Sequence, residues 1–184
     1  MRSELLEISG NFQRLAEQAE MVRRIADLCT TAIRAGGKIL FCGNGGSAAD
    51  SQHLAAELVG RFRHNRPAMA ALALTVDTSV LTAVGNDYGY EEVFARQVEG
   101  LGRAGDVLIG LSTSGNSANV LKAFAAAKRL GMGTVALTGA TGGAAKAVAD
   151  LCLCVPAETS DRIQEMHIAV GHLICGAIEK AVHG

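Results

Sequence analysis

A chain of 184 residues with 49% hydrophobic content can bury one substantial core and is near the usual size of a single domain. Its 17 basic and 18 acidic residues leave a formal charge of −1, so no overall field favours nucleic acid or an anionic membrane, and an anionic ligand must be held by local chemistry. The N-terminus interrupts its apolar residues with Arg2, Glu4 and Glu7, unlike a signal peptide, and no stretch is long and apolar enough to span a bilayer. A cytoplasmic location is expected. The five cysteines, at 29, 42, 152, 154 and 175, lie mostly inside apolar runs, as reduced buried thiols do.

From Leu5 the apolar residues Ile8, Phe12, Leu15, Ala19, Val22, Ala26, Cys29 and Ile33 recur at spacings of three and four. That seam predicts a packed N-terminal helical segment over residues 1–35, with one break at Ser9 and Gly10. Its stripe suits the protein's own core and equally a neighbouring subunit. Short apolar runs follow at Lys38 to Cys42, Ala71 to Thr75, Val107 to Leu111, Thr134 to Thr138 and Leu151 to Val155, each about strand length. Helical patterns begin between them near Ser47, Thr78, Glu91 and Ser117, with a short one near Gly143, and a last helix is expected from about Ser160 to Val182. Apolar strands alternating with helices predict an α/β three-layer sandwich, a five-stranded parallel sheet flanked by helices, as one domain over residues 1–184. In such a sheet ligands bind beyond the carboxyl ends of the strands.

The first strand leads into Gly43-Asn44-Gly45-Gly46-Ser47-Ala48-Ala49-Asp50, where three glycines let the backbone approach a ligand. Ser47 and Asp50 resemble a capping box at a helix start. The loop lacks the spacing of a dinucleotide fingerprint and the Lys of a P-loop, so it reads as a ligand loop or a plain strand-to-helix turn. The third strand ends in Ser112, Thr113, Ser114 and Ser117 just before a helix, and hydroxyls with free N–H groups at a helix N-terminus suit a phosphate dianion.

His53 and Glu57 are four apart and share a helix face, able to bind a divalent metal, to move a proton, or only to meet solvent. The last helix carries Gln164, His167 and His172. Gln164 and His172 stand roughly 12 Å apart along an ideal helix, so sharing one metal needs long reaches or two chains, and spacing alone pairs Gln164 with His167. Cys152 and Cys154 fit strand alternation better than a metal site, because no second cysteine pair accompanies them.

The motifs GNGGSAADSQHLAAELVGRF, AVGNDYGY, GLSTSGNSANV and DRIQEMHIAVGH, in this order over nearly the whole chain, resemble the sugar isomerase (SIS) family, and within it the phosphoheptose isomerases. The resemblance implies a SIS fold and an aldose–ketose isomerase that turns sedoheptulose 7-phosphate into D-glycero-D-manno-heptose 7-phosphate through an enediol, the first step of ADP/GDP-heptose precursor synthesis. It implies substrate contact by Asn44, Gly45, Gly46, Asn86, Asp87, Ser112, Thr113, Ser114, Ser117 and Gln164. Zinc, one per subunit, would be held by His53, Glu57, Gln164 and His172, preferring His172 to the His167 that spacing favours. Glu57 would be the base and His172 its acid–base partner. The expected partners are a small sugar phosphate and further copies of the chain in a homotetramer, with no nucleic acid and no membrane. Related adaptors of the replication initiator share much of the phosphate loop but lack the catalytic pair, and Glu57 and His172 are both present here. A SIS enzyme or sensor for another sugar phosphate is the other alternative.

Overall fold

The computed structural model describes residues 1–184. Two helices open the chain, α1 (Arg2–Ala16) and α2 (Ala19–Arg34). The break expected at Ser9 and Gly10 is absent: a lone glycine inside a helix costs only about 1 kcal/mol relative to alanine, too little to stop it. The chain turns instead at Glu17 and Gln18, where the Gln18 side chain donates to the Cys154 carbonyl at 2.6 Å and ties the turn to the far edge of the sheet.

The sheet is parallel throughout, in the order β2-β1-β3-β4-β5. Its strands are β1 (Ile39–Gly43), β2 (Ala71–Ala73), β3 (Val107–Ser112), β4 (Gly133–Thr138) and β5 (Leu151–Cys154). Alternate residues of each strand serve opposite layers. Ile39, Phe41, Ile109 and Leu137 pack under α1, α2, α3 (Gly46–Val59) and α8 (Ser160–His183). Leu40, Cys42, Leu108 and Ala136 pack under α5 (Val93–Leu101) and α6 (Ala118–Arg129), against Phe94, Val98 and Phe124. Each large apolar side chain buried in either layer contributes about 1.5–3 kcal/mol. Gly110 sits on β3 where a Cβ would strike the Phe124 ring and Val120, so the absence of a side chain there lets α6 close on the sheet.

Two short elements complete the order, α4 (Thr78–Tyr88) and α7 (Ala145–Val148). The helix expected near Glu91 begins later. Gly89, at φ 94°, stops α4, one 3-10 turn spans Tyr90–Glu92, and α5 then starts at Val93. β2 stops at Ala73 rather than Thr75, as the chain bends toward Asp77, whose carboxylate caps α4 by accepting from the Val80 N–H at 3.0 Å. No helix is long and apolar enough to cross a membrane.

Candidate active site

The turn after β1 is built by glycine. Gly45 takes φ 57° and is itself the N-cap, so α3 begins at Gly46, one residue before the expected start. Ser47 and Asp50 therefore form no capping box. Ser47 is buried within the helix, and one oxygen of Asp50 is buried without a partner, so burial pushes its carboxyl above the ordinary value while His53 pulls it back. At Gly46 a Cβ would lie 2.5 Å from the Gln164 side-chain oxygen, so the missing side chain makes the cradle in which that amide rests.

Asn44 exchanges two hydrogen bonds with Asn119 on α6, at 2.9 and 2.8 Å, and accepts a third from the Tyr90 hydroxyl at 3.3 Å. Three segments thereby meet at the carboxyl end of β1. Neither Asn119 nor Tyr90 carries a role assigned from the sequence, although they lie inside the motifs GLSTSGNSANV and AVGNDYGY, the one sequence signal that marks them. Asn86 and Asp87 are exposed at the end of α4, where the Asn86 amide donates to Asp87 at 2.8 Å.

After β3, Ser117 is the N-cap of α6, yet its hydroxyl makes no capping bond and pairs with the Ser112 hydroxyl at 2.9 Å. The Ser114 hydroxyl accepts from the Asn116 N–H at 3.1 Å, shaping the turn, and Thr113 meets Ser160 at the start of α8, 3.4 Å away. Thr113, Ser114, Asn116, Thr141 and Glu158 help line a cleft of about 410 Å³ that contains no Lys or Arg. Thr113, Ser114 and Thr141 offer it hydroxyls and Asn116 an amide, while the Glu158 carboxylate sets one wall against an anion. Ser112, Ser117 and the first N–H groups of α6 lie outside its walls.

His53 and Glu57 on α3 meet His172 on α8. His53 Nε2 lies 2.9 Å from His172 Nε2 and 3.2 Å from Glu57 Oε1, and the three ligand atoms all lie within 4.8 Å of one another. Gly171 allows this, since any Cβ there would collide with Leu54 of α3. Phe62 stacks on the His172 ring, centroids 5.6 Å apart and 21° from parallel. Two imidazoles and a carboxylate are the donor set of a divalent metal such as zinc, and the two separations from His53, 2.9 and 3.2 Å, are close to the roughly 3.3 Å edge of a tetrahedron with metal–ligand bonds near 2.0–2.1 Å. The residues present fit the ion.

His167 takes no part. It is fully buried, and its Nε2 lies 3.2 Å from the Thr138 carbonyl, so the pairing with Gln164 that spacing favoured does not form. Gln164 in turn stands more than two helical turns before His172, with its amide at Gly46. Ser160 and His172 are about 18 Å apart along α8 at 1.5 Å per residue, longer than an extended seven-carbon sugar phosphate. His53, Glu57 and His172 are not among the walls of the hydroxyl-lined cleft. One chain thus presents two groups of polar residues at the two ends of an arc along α8.

Residues 7–139 match the model of the SIS domain. The whole chain is 61% identical over 184 residues to a phosphoheptose isomerase of Akkermansia muciniphila, covering 97% of that protein. It is 57% identical over 171 residues to one of Rhodospirillum rubrum, covering 93% of this chain and 91% of the relative. The structure of phosphoheptose isomerase GmhA from Neisseria gonorrhoeae superimposes with a TM-score of 0.92 at 47% identity, over 97% of this chain and 96% of that one. With its parallel five-stranded sheet and full-length similarity, the chain belongs to the SIS-domain family and, within it, to the sugar-phosphate isomerases known as phosphoheptose isomerases.

Proposed function

We propose that this chain interconverts sedoheptulose 7-phosphate and D-glycero-D-manno-heptose 7-phosphate, supplying heptose for activated-sugar synthesis. The observation that carries the substrate is the end-to-end similarity, 61% over all 184 residues, to a protein named for that reaction. The proposed chemistry begins when Glu57 removes a proton from C1 of the ketose. The electron pair left behind forms the C1–C2 double bond, and the carbonyl oxygen at C2 takes a proton to give the enediol. His172 gives O2 that proton and takes one back from O1. As the O1–H bond breaks the C1–O1 carbonyl forms, and the C1–C2 π pair takes Glu57's proton onto C2, so atoms and charge balance. Zinc, when held by His53, Glu57 and His172, supplies positive charge that favours the developing oxyanion. Ser112, Thr113, Ser114 and Ser117 bind the phosphate. Asn44, Gly45, Gly46, Asn86 and Asp87 line the sugar's path.

Because about 18 Å separates the phosphate loop from His172 along α8, a homotetramer completes each site, with the loop of one chain facing the catalytic pair of another. Gln164 then reaches substrate or metal across that contact. The residues 1–35 segment packs on its own core and on a neighbour, within one domain. Five cysteines, none in a disulfide, suit a reducing cytoplasm. Incubating the purified protein with sedoheptulose 7-phosphate should produce an aldoheptose 7-phosphate, followed by NMR of the anomeric protons. A protein that binds the sugar phosphate yet leaves it unchanged would be an adaptor or sensor instead.

A further inference from the structure

Glu179 lies on α8 seven residues beyond His172, two turns along the same side of the helix. Its carboxylate and the Arg66 guanidinium form an ion pair at 3.2 Å, each side chain only 2% exposed. In every other ion pair of the chain at least one partner is more than a quarter exposed. Replacing a buried pair by apolar residues is often neutral or stabilising, so stability alone is a poor account of this one.

Its contacts supply another. Glu179 accepts from the backbone N–H groups of Phe62, Arg63 and His64, at 3.0, 2.9 and 3.2 Å. Arg66 turns its remaining donors to the carbonyls of Glu57 at 2.8 Å and Leu58 at 2.7 Å, the open end of α3. The pair therefore fastens the end of the helix bearing His53 and Glu57 to the helix bearing His172. It also holds Phe62 in place, and Gly176, where a Cβ would lie 3.1 Å from the ring, leaves room for that ring to lie on α8 against His172. Arg66 also reaches the carbonyls of Gly60 and Pro67, at 3.3 and 3.0 Å, within its own loop. The contacts to α3 and to Phe62 converge on the mutual placement of three side chains whose ligand atoms all lie within 4.8 Å of one another.

We propose that Glu179, with Arg66, is a positioning residue that sets the separation of His53, Glu57 and His172 for the bound metal and for proton transfer, a role that rests on the function proposed above. The test uses the full-length protein carrying Glu179→Gln, reading zinc affinity by competition with a chromogenic chelator and steady-state kinetics on sedoheptulose 7-phosphate. Zinc affinity should fall about 10- to 100-fold, as when a ligand's supporting shell is lost. The kcat should fall at least about tenfold while KM moves by less than about threefold, because the phosphate loop at the other end of α8 is untouched. Phe62→Leu leaves the ion pair intact and should shift zinc affinity and kcat in the same direction, and it carries the test if Glu179→Gln does not fold. Wild-type zinc affinity and kcat in either folded variant would overturn the proposal. A wild-type protein inert toward the sugar phosphate would overturn the function instead, and the zinc titrations would still decide the positioning role.

Discussion

At the scale of single residues, the proposed chemistry depends on Glu57 and His172 reaching one substrate carbon from two different helices. His53 touches both, at 3.2 and 2.9 Å, so the three groups form one polar unit rather than three separate ones. A metal-bound carboxylate is a weaker base than a free one, and a metal-bound ring nitrogen has no lone pair for a proton. Glu57 therefore has to loosen from the ion during turnover if it is to take the proton, and His172 has to use its other nitrogen or leave the ion likewise. Glu57→Gln keeps shape and hydrogen bonding but cannot accept a proton at neutral pH. Turnover should drop by about 10²- to 10⁴-fold with substrate affinity changed far less, in steady-state assays and direct binding measurements. His172→Asn should behave alike, and the double variant should be little worse than the poorer single one, since both act on one proton path. Near-normal turnover in Glu57→Gln would remove it as the base.

At the scale of elements, α8 carries most of the logic: Ser160 beside Thr113 of the hydroxyl-rich loop, Gln164 against Gly46, His172 at the metal-type cluster and Glu179 at the buried ion pair. His167 anchors this helix under β4 through Thr138, and burial pushes its imidazole down to about 4 in spite of that hydrogen bond. The folded chain therefore refuses a proton that the unfolded chain, near 6.5, accepts. Stability from this group is complete above about pH 6.5 and is lost as pH falls to about 4, by roughly 3 kcal/mol in all. His167→Gln keeps a donor for the Thr138 carbonyl without titrating, so urea unfolding across that window should show a flatter pH dependence than wild type. Parallel curves would rule the account out. Glu179 works in a lower window. Burial raises its carboxyl, but the N–H groups of Phe62, Arg63 and His64 with Arg66 bring it below the ordinary range, so its contribution is lost only in stronger acid. The strands could be read from sequence because runs such as Val107 to Leu111 are apolar on both faces, and only a covered parallel sheet asks for that. His53 and Glu57 could be read because helix spacing is local. The Arg66 and Glu179 pair could not, since 113 residues separate them and the segment from Gly60 to Pro67 has no periodicity to read. Nor could the early start of α3, which depends on Gly45 entering positive φ.

At the scale of the whole molecule, the chain leaves an apolar face uncovered. Phe12, Ala16, Val22, Val170, Leu173 and Ala177, from α1, α2 and α8, line a groove of about 450 Å³, and Leu173 is 57% exposed beside His172. Leu5 and Leu6 add exposed apolar surface at the start of α1. A contiguous apolar surface rarely stays open to water on a monomer, and homo-oligomers close such faces by symmetry. In the proposed homotetramer the same closure would bring a second chain to His172, as the separation of the two polar groups along α8 asks. Light scattering at micromolar concentration should therefore give the mass of four chains. Leu173→Glu puts a charge at the centre of that face without entering the core of its own chain. It should shift the mass to two chains or one while circular dichroism stays unchanged, and turnover should fall with the mass because each site loses the residues its neighbour supplies. A wild-type monomer would remove the shared site, and a Leu173→Glu protein that dissociates yet keeps full turnover would show that one chain suffices.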